Sequence, residues 1–346
     1  MLVFLYHSSN FHYVDNMFFK MGHEAVIIFF VMSGFIIAFC YDTKEKSFSQ
    51  YLINRASRIY SVVIPALLLT AFFDYLGSSI SPQSYGDHFD LLAVRFISSL
   101  LFTNALWMVS IQSLSNVPYW SINYEVWYYL MFAALFYFGK YRWLIFAITV
   151  MICGIKILML APCWWIGVWI YRSNPLKDCS RNTNLSLFLF SIAAFCYFVS
   201  ADISQYGWSL FASWLEPEQF KQFAFSRRFI TDYLLMLIVA LNFASARVLF
   251  THVQIADSRT VKFIRYIANF TFALYLLHQP LLTFFQALLA HTALTEGIAL
   301  LVMMLATFTL VIAIGHPIEQ TKHIYRKFFN WLYEKLQRKR NAKLAS

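Results

Sequence analysis

The sequence predicts an all-α fold, a polytopic bundle of about ten transmembrane helices. Three observations carry that prediction. Of the 346 residues, 60% are hydrophobic and only 13% charged, with a mean hydropathy of +0.58; a soluble domain carries about 25% charged residues. Apolar runs long enough to cross a bilayer as helices recur along the whole chain. Within them apolar and polar residues do not alternate, as the stretch from Ala25 through Phe30 and Phe35 to Ala38 shows. A transmembrane β-barrel needs that alternation. Backbone in lipid must satisfy its own hydrogen bonds, which leaves helices as the way across.

Taken in order, the candidate spans lie near 24–41, 58–76, 91–109, 119–138, 142–160, 185–201, 231–250, 263–289 and 297–315. The run at 263–289 is long and has room to tilt. The aromatic segment 163–171 is too brief to span alone. No internal repeat and no Gly/Ser/Pro linker divides the chain, so 1–346 reads as one domain. Met1 to Tyr6 is apolar but too short for a span or a signal-peptide core. It looks like the second half of a transmembrane helix, and an upstream segment of about 10–20 apolar residues is expected to precede it.

A net charge of +10 raises the question of nucleic acid, and the placement of the charge answers it. Basic residues gather in loops between apolar runs and in the tail, as the positive-inside rule produces. Lys44, Lys46, Arg55 and Arg58 mark one cytoplasmic loop, Arg172, Lys177 and Arg181 a second, and Arg259, Lys262 and Arg265 a third. The basic tail near 322–346 joins them and places the C-terminus in the cytoplasm. Its Tyr325, Phe328, Phe329, Leu332 and Leu336 fall at helical spacing, which fits an amphipathic helix on anionic membrane lipids or a plain stop-transfer tail. A topology in which 91–109 spans and 163–171 does not puts all these clusters inside, yet leaves Lys140 and Arg142 outside. The reverse assignment keeps Lys140 and Arg142 inside. The first is the expectation carried forward.

Cys40, Cys153, Cys163, Cys179 and Cys196 show no paired spacing and read as small hydrophobes. No carboxylate–histidine set suggests a metal, and no Walker or dinucleotide motif appears.

Candidate site residues stand out against this apolar background. Glu125 lies inside an aromatic apolar run, and a carboxylate there is costly enough to mark a functional site. The plainer reading is an aromatic girdle with one paired Glu. Ser121 and Glu125 are four apart and share a helix face; Arg55 and Arg58, three apart, do likewise. Tyr124, Trp127 and Tyr128 offer aromatic surface for a sugar. His7 ends the first apolar run beside Ser8, Ser9 and Asn10. His278 lies mid-run, one turn from Tyr275, and reads first as a buried histidine satisfied by a helix neighbour. His12 and His23 read as loop or interfacial residues. Ser33-Gly34 reads as a close helix-packing point.

Six segments, in order, carry a resemblance. They are Phe4-Leu5-Tyr6-His7; Phe29-Phe30-Val31-Met32-Ser33-Gly34-Phe35; Arg55-Ala56-Ser57-Arg58-Ile59-Tyr60; Trp120-Ser121-Ile122-Asn123-Tyr124-Glu125; Tyr275-Leu276-Leu277-His278; and Glu319. Together they resemble the acyltransferase-3 family, membrane enzymes that move acyl groups from acyl-CoA onto sugars, over nearly the whole chain. There are departures. Ser61 stands where the family often has Pro, the closing segment reads His316-Pro317-Ile318-Glu319 rather than E-x-P, and the family's basic residue upstream of its first His would precede Met1.

The resemblance implies an O-acyltransferase of the bacterial inner membrane. It would move an acetyl or other short acyl group from acyl-CoA, a donor substrate, with no permanently bound cofactor, to a sugar hydroxyl of a surface polysaccharide or lipid-linked glycan. His7 and Glu125 would be catalytic, with His7 a general base or an acyl carrier and Glu125 orienting His7 or binding the sugar. Arg55 and Arg58 would hold the phosphates of acyl-CoA. Trp120, Ser121, Tyr124, Ser33 and His278 would support them. The alternatives are a glycan or lipid transporter and a non-catalytic relative, and release of free CoA thiol separates them.

Overall fold

The computed structural model describes residues 1–9, 16–86, 90–251, 258–268, 270–290 and 292–345, and among these no strand occurs. His12 lies outside the described residues. The short α1 (Leu2–Ser9) leads to α2 (Gly22–Thr43) and α3 (Phe48–Ile80). At 1.5 Å per residue α3 is about 50 Å long, more than a bilayer crossing requires. Ser47 caps it by accepting from the Gln50 amide.

The expected span at 91–109 does not form. Helix α4 (Leu92–Leu100) stops after nine residues, and Phe102, Trp107 and Leu114 adopt positive φ in the turns that follow. The local polar residues explain the break. The Asn104 amide donates to Ile111 O at 3.0 Å, and the Ser99 and Ser113 hydroxyls bond each other at 2.6 Å. Tyr119 and Tyr60 hydroxyls donate to Ser99 O and Leu100 O.

Helix α5 (Trp120–Tyr137) is buried nearly all round, the pattern of a central helix. Its tyrosines tie it to neighbours: Tyr128 donates to Ile157 O at 2.8 Å, and Tyr129 O accepts from Tyr51 at 3.0 Å. The expected span at 142–160 is divided between α6 (Arg142–Cys153) and α7 (Ile155–Ser173). Gly154, at φ +80°, makes the break, and the Trp107 backbone lies 2.6 Å from where a Cβ would stand. Segment 163–171 is therefore the second half of a 19-residue helix that is long and apolar enough to cross a membrane.

This corrects the topology expected from the sequence. Helices α6 and α7 form a hairpin whose open end meets the end of α2. There Arg172 approaches Asp42 at 3.8 Å, and Tyr137, just before α6, donates to Glu45 O. Lys140 and Arg142 thus share an end of the bundle with Lys44, Arg55 and Arg172, the arrangement that the positive-inside rule gives when 163–171 belongs to a helix long enough to cross and 91–109 forms no such helix.

Helix α8 (Arg181–Ser200) runs away from that basic end to the small helices α9 (Ile203–Ala212) and α10 (Pro217–Gln222), and α11 (Phe229–Leu249) returns. The run at 263–289 is two helices, α12 (Arg259–Ala268) and α13 (Thr271–Leu289). The Glu319 carboxylate starts α13 by accepting from the Phe272 and Ala273 amides at 3.1 and 3.0 Å. Helix α14 (Glu296–Gln320) leads through Thr321 into the tail helix α15 (Lys322–Ala345), which lays Phe329 against Tyr60.

Seven helices among the described residues have the length and apolarity to cross a membrane. The closest approach is between α2 and α7. A Cβ on Gly34 would fall 2.0 Å from Trp164 O, and one on Gly167 2.0 Å from Val31 O. Small residues let these backbones touch, as in membrane helix pairs generally.

Candidate active site

Away from the basic end, α1, α2, α5, α13 and the loop before α11 enclose a cavity of about 290 Å³. His7, Trp120, Tyr275 and Gln279 are in its wall. Helix α1 packs on α13 and brings His7 to His278, with ring centroids 5.3 Å apart. The Nδ1 of His278 faces Leu274 O at 3.0 Å. A carbonyl only accepts, so Nδ1 carries the proton and Nε2 presents a lone pair. That Nε2 and the Nδ1 of His7 are buried atoms without a hydrogen-bond partner. Two imidazoles with open nitrogens therefore stand side by side, able to take and pass a proton.

The Tyr275 ring is 6.1 Å from His278, and its hydroxyl bonds Ser121 Oγ at 2.6 Å and donates to Pro118 O at 3.1 Å. Trp120 stacks on Phe225, with centroids 4.5 Å apart and planes within 3°, and faces His23 on its other side. Tyr124 lies deeper, its hydroxyl 3.1 Å from Ser226 Oγ.

Glu125 is 5% exposed and faces the bundle interior. Its Oε1 accepts from Ser33 Oγ at 2.6 Å and from the Tyr129 hydroxyl, and Trp164 Nε1 donates to the same Ser33 oxygen at 3.1 Å. The carboxylate does not reach His7. One helical turn beyond Ser121, it points toward the basic end and lies within Coulombic reach of Arg58 and Arg55. Ser33, read from the sequence as a packing residue and a supporting one, is a direct partner of Glu125.

The two arginines separate. Arg55 pairs with Glu45 at 2.6 Å and lies over the Tyr51 and Tyr129 rings. Arg58 lines a second cavity, of about 410 Å³, together with Ser61, Thr271, Glu319, Gln320 and Lys322. Helix α13 forms part of both cavities, through Thr271 and Phe272 at one and Tyr275 and Gln279 at the other.

Sequence reasoning missed several residues. Gln279, Arg227 and Arg228 line the upper cavity, and Lys322 lines the lower one. Asp232 binds His23 Nε2 at 2.9 Å, and Glu24 pairs with Arg228 at 3.7 Å. A signal existed for the arginine pair. It immediately precedes the apolar α11 at the end opposite the basic clusters, where the positive-inside rule disfavours arginine.

Helices long and apolar enough to cross a membrane, a polar chamber walled by His7 and His23, and a buried carboxylate are the features of a multi-pass membrane protein with polar groups held between its helices. A family model described as an acyltransferase domain matches residues 1–316. The chain belongs to that family, acyltransferase-3, and is a membrane acyltransferase. Comparison with curated proteins and with solved structures gives no match.

Proposed function

We propose that this acyltransferase takes a short acyl group, acetyl being the simplest, from acyl-CoA and gives it to a sugar hydroxyl of a surface polysaccharide or lipid-linked glycan. The observation that carries the reading is the cavity whose wall holds His7, Trp120 and Phe225, with the buried His278 ring 5.3 Å from that of His7. His7 accepts the hydroxyl proton, the sugar oxygen attacks the thioester carbonyl, the C–S bond breaks, and the thiolate leaves and is protonated as free CoA. His278 relays or shares the proton. Arg58 and Lys322 attract the CoA phosphates at the lower cavity, and Glu125 lies between the two chambers. The setting is a bacterial inner membrane with α15 and the basic end in the cytoplasm.

The test is release of CoA thiol from acetyl-CoA by the purified full chain in detergent when membrane glycan extract is added. Acceptor-dependent release in the native chain, lost in His7→Ala, is expected. A transporter or a non-catalytic relative releases no thiol, and that result refutes the proposal.

A further inference from the structure

The upper cavity has a feature that hydroxyl chemistry alone does not require. Arg227 and Arg228 both stand in its wall, with His7 and His23, and no Asp or Glu is among the lining residues. The nearest carboxylates are already engaged: Glu24 with Arg228 at 3.7 Å and Asp232 with His23 at 2.9 Å. Among the described residues no carboxylate pairs with Arg227. Its Nε donates to Ala224 O at 2.6 Å, and its guanidinium lies 5.5 Å from the Phe220 ring centre. Those contacts orient the group without neutralising it. Burial first, and the adjoining Arg228 second, lower the Arg227 pKa from its usual range, as expected for a cation without compensation.

The backbone adds to this field. Helices α2, α5 and α11 all begin at the cavity, with Gly22, Trp120 and Arg228 in its wall. None of the three N-termini has a side-chain cap, and helix N-termini carry partial positive charge; Glu24 and Asp232 stand in the first turns of α2 and α11, while α5 has no acidic residue there. Across the chamber the side chain of Gln279 is nine-tenths buried, and its Oε1 has no hydrogen-bond partner. That oxygen can only accept, so it calls for a hydroxyl or amide donor on whatever fills the cavity.

From this arrangement we infer that the acceptor is an anionic sugar, one whose ring hydroxyls meet Gln279 and His7 while its carboxylate or phosphate group sits on the Arg227 guanidinium. The inference rests on the acyl-transfer reading for the identity of the site, but it concerns recognition alone. Arg presents paired N–H donors that match both carboxylate and phosphate oxygens, and the half-buried Phe225 ring, stacked on Trp120, stands in the same wall.

Binding of glucuronate, glucose 1-phosphate and glucose to the full-length protein in detergent, with no acyl donor present, tests it by calorimetry. At least one anionic sugar is expected to bind tenfold or more tightly than glucose, with an affinity that falls as salt rises. Which of the two prevails tells carboxylate from phosphate recognition. The preference should vanish in Arg227→Gln and persist in Arg227→Lys. Equal binding of all three sugars overturns the inference, as does a preference that survives Arg227→Gln. It is also overturned if phosphatidylglycerol nanodiscs, and neither sugar, engage Arg227, since the site would then hold a lipid headgroup. If acceptor-dependent CoA release stands and the anion preference fails, the recognition claim alone falls. If the preference stands and CoA release fails, the enzymatic reading falls.

Discussion

Replacing Glu125 by Gln asks whether its charge serves the fold or the reaction. The carboxylate Oε1 accepts two hydrogen bonds, from Ser33 and Tyr129. A Gln carbonyl oxygen can accept both bonds but is neutral. A hydrogen bond to a charged group contributes about 1.5–3 kcal/mol and a neutral one about 0.5–1.5. The substitution therefore costs roughly 1 kcal/mol per bond and about 2 kcal/mol for the pair. If these bonds serve only the fold, the Ser33 bond joining α2 to α5 and the Tyr129 bond lying within α5, thermal unfolding in detergent shifts down by that amount and turnover per folded molecule is unchanged. If the charge balances positive charge built up at the arginines or imidazoles, CoA release falls far more, by about a hundredfold or greater, which is near 3 kcal/mol, while acyl-CoA binding persists. The second outcome is expected. Ser33→Ala and Tyr129→Phe each remove one donor and should give intermediate losses. A Glu125→Gln variant with native turnover and native melting would refute the reasoning altogether.

His7→Gln and His7→Ala are expected to abolish CoA release while leaving expression and membrane insertion intact, as followed by size-exclusion profiles. Arg55 and Arg58 should part company. Arg58→Ala weakens binding of labelled acyl-CoA, and the loss should shrink at high salt, where the native phosphate contact is itself screened, with little change in melting. Arg55→Ala leaves Glu45, 3% exposed, without its cation and should cost about 3–5 kcal/mol of stability, read as a lowered melting temperature. Glu319→Ala removes the two amide contacts that start α13 and should cost about 0.5–2 kcal/mol, whereas Glu319→Gln should keep most of it. Gly34→Ala places a methyl 2.0 Å from Trp164 O and should lower the melting temperature by the equivalent of at least about 1–3 kcal/mol of overpacking.

The fold class was legible because membrane helices advertise themselves by length and apolarity. Their boundaries were less so. The run at 91–109 is apolar enough to span, but Asn104, Ser99 and Ser113 satisfy one another in a turn network, and only the tertiary partners Tyr60 and Tyr119 reveal it. Gly154 carried a visible signal for the α6–α7 break, and Lys140 with Arg142 carried another. Both were outweighed by the apolarity of 142–160. At the site, His7, Glu125 and Arg58 were legible as polar residues in apolar surroundings. The partners that complete them, Gln279, Arg227 and Lys322, come from distant segments, and no sequence spacing connects them. Of the two surroundings open to Glu125, His7 or the arginines, the structure gives the second, because helix geometry fixes direction as well as face. Four residues past Ser121 the side chain has descended one turn, to where α2 supplies hydroxyls.

Helix α13 is a wall of both chambers, and its residues Phe272 and Gln279 lie seven positions apart, about 10 Å along the axis at 1.5 Å per residue. A rod this short has no room for the two ends to move independently. A ligand that tightens the Glu319-capped end also fixes the height of Tyr275, His278 and Gln279, so occupancy of one chamber sets the entropy that the other must still surrender. By linkage that influence runs equally in both directions. The affinity of the lower chamber should depend on what fills the upper one, and equilibrium titrations of each ligand at fixed levels of the other should return the same coupling factor.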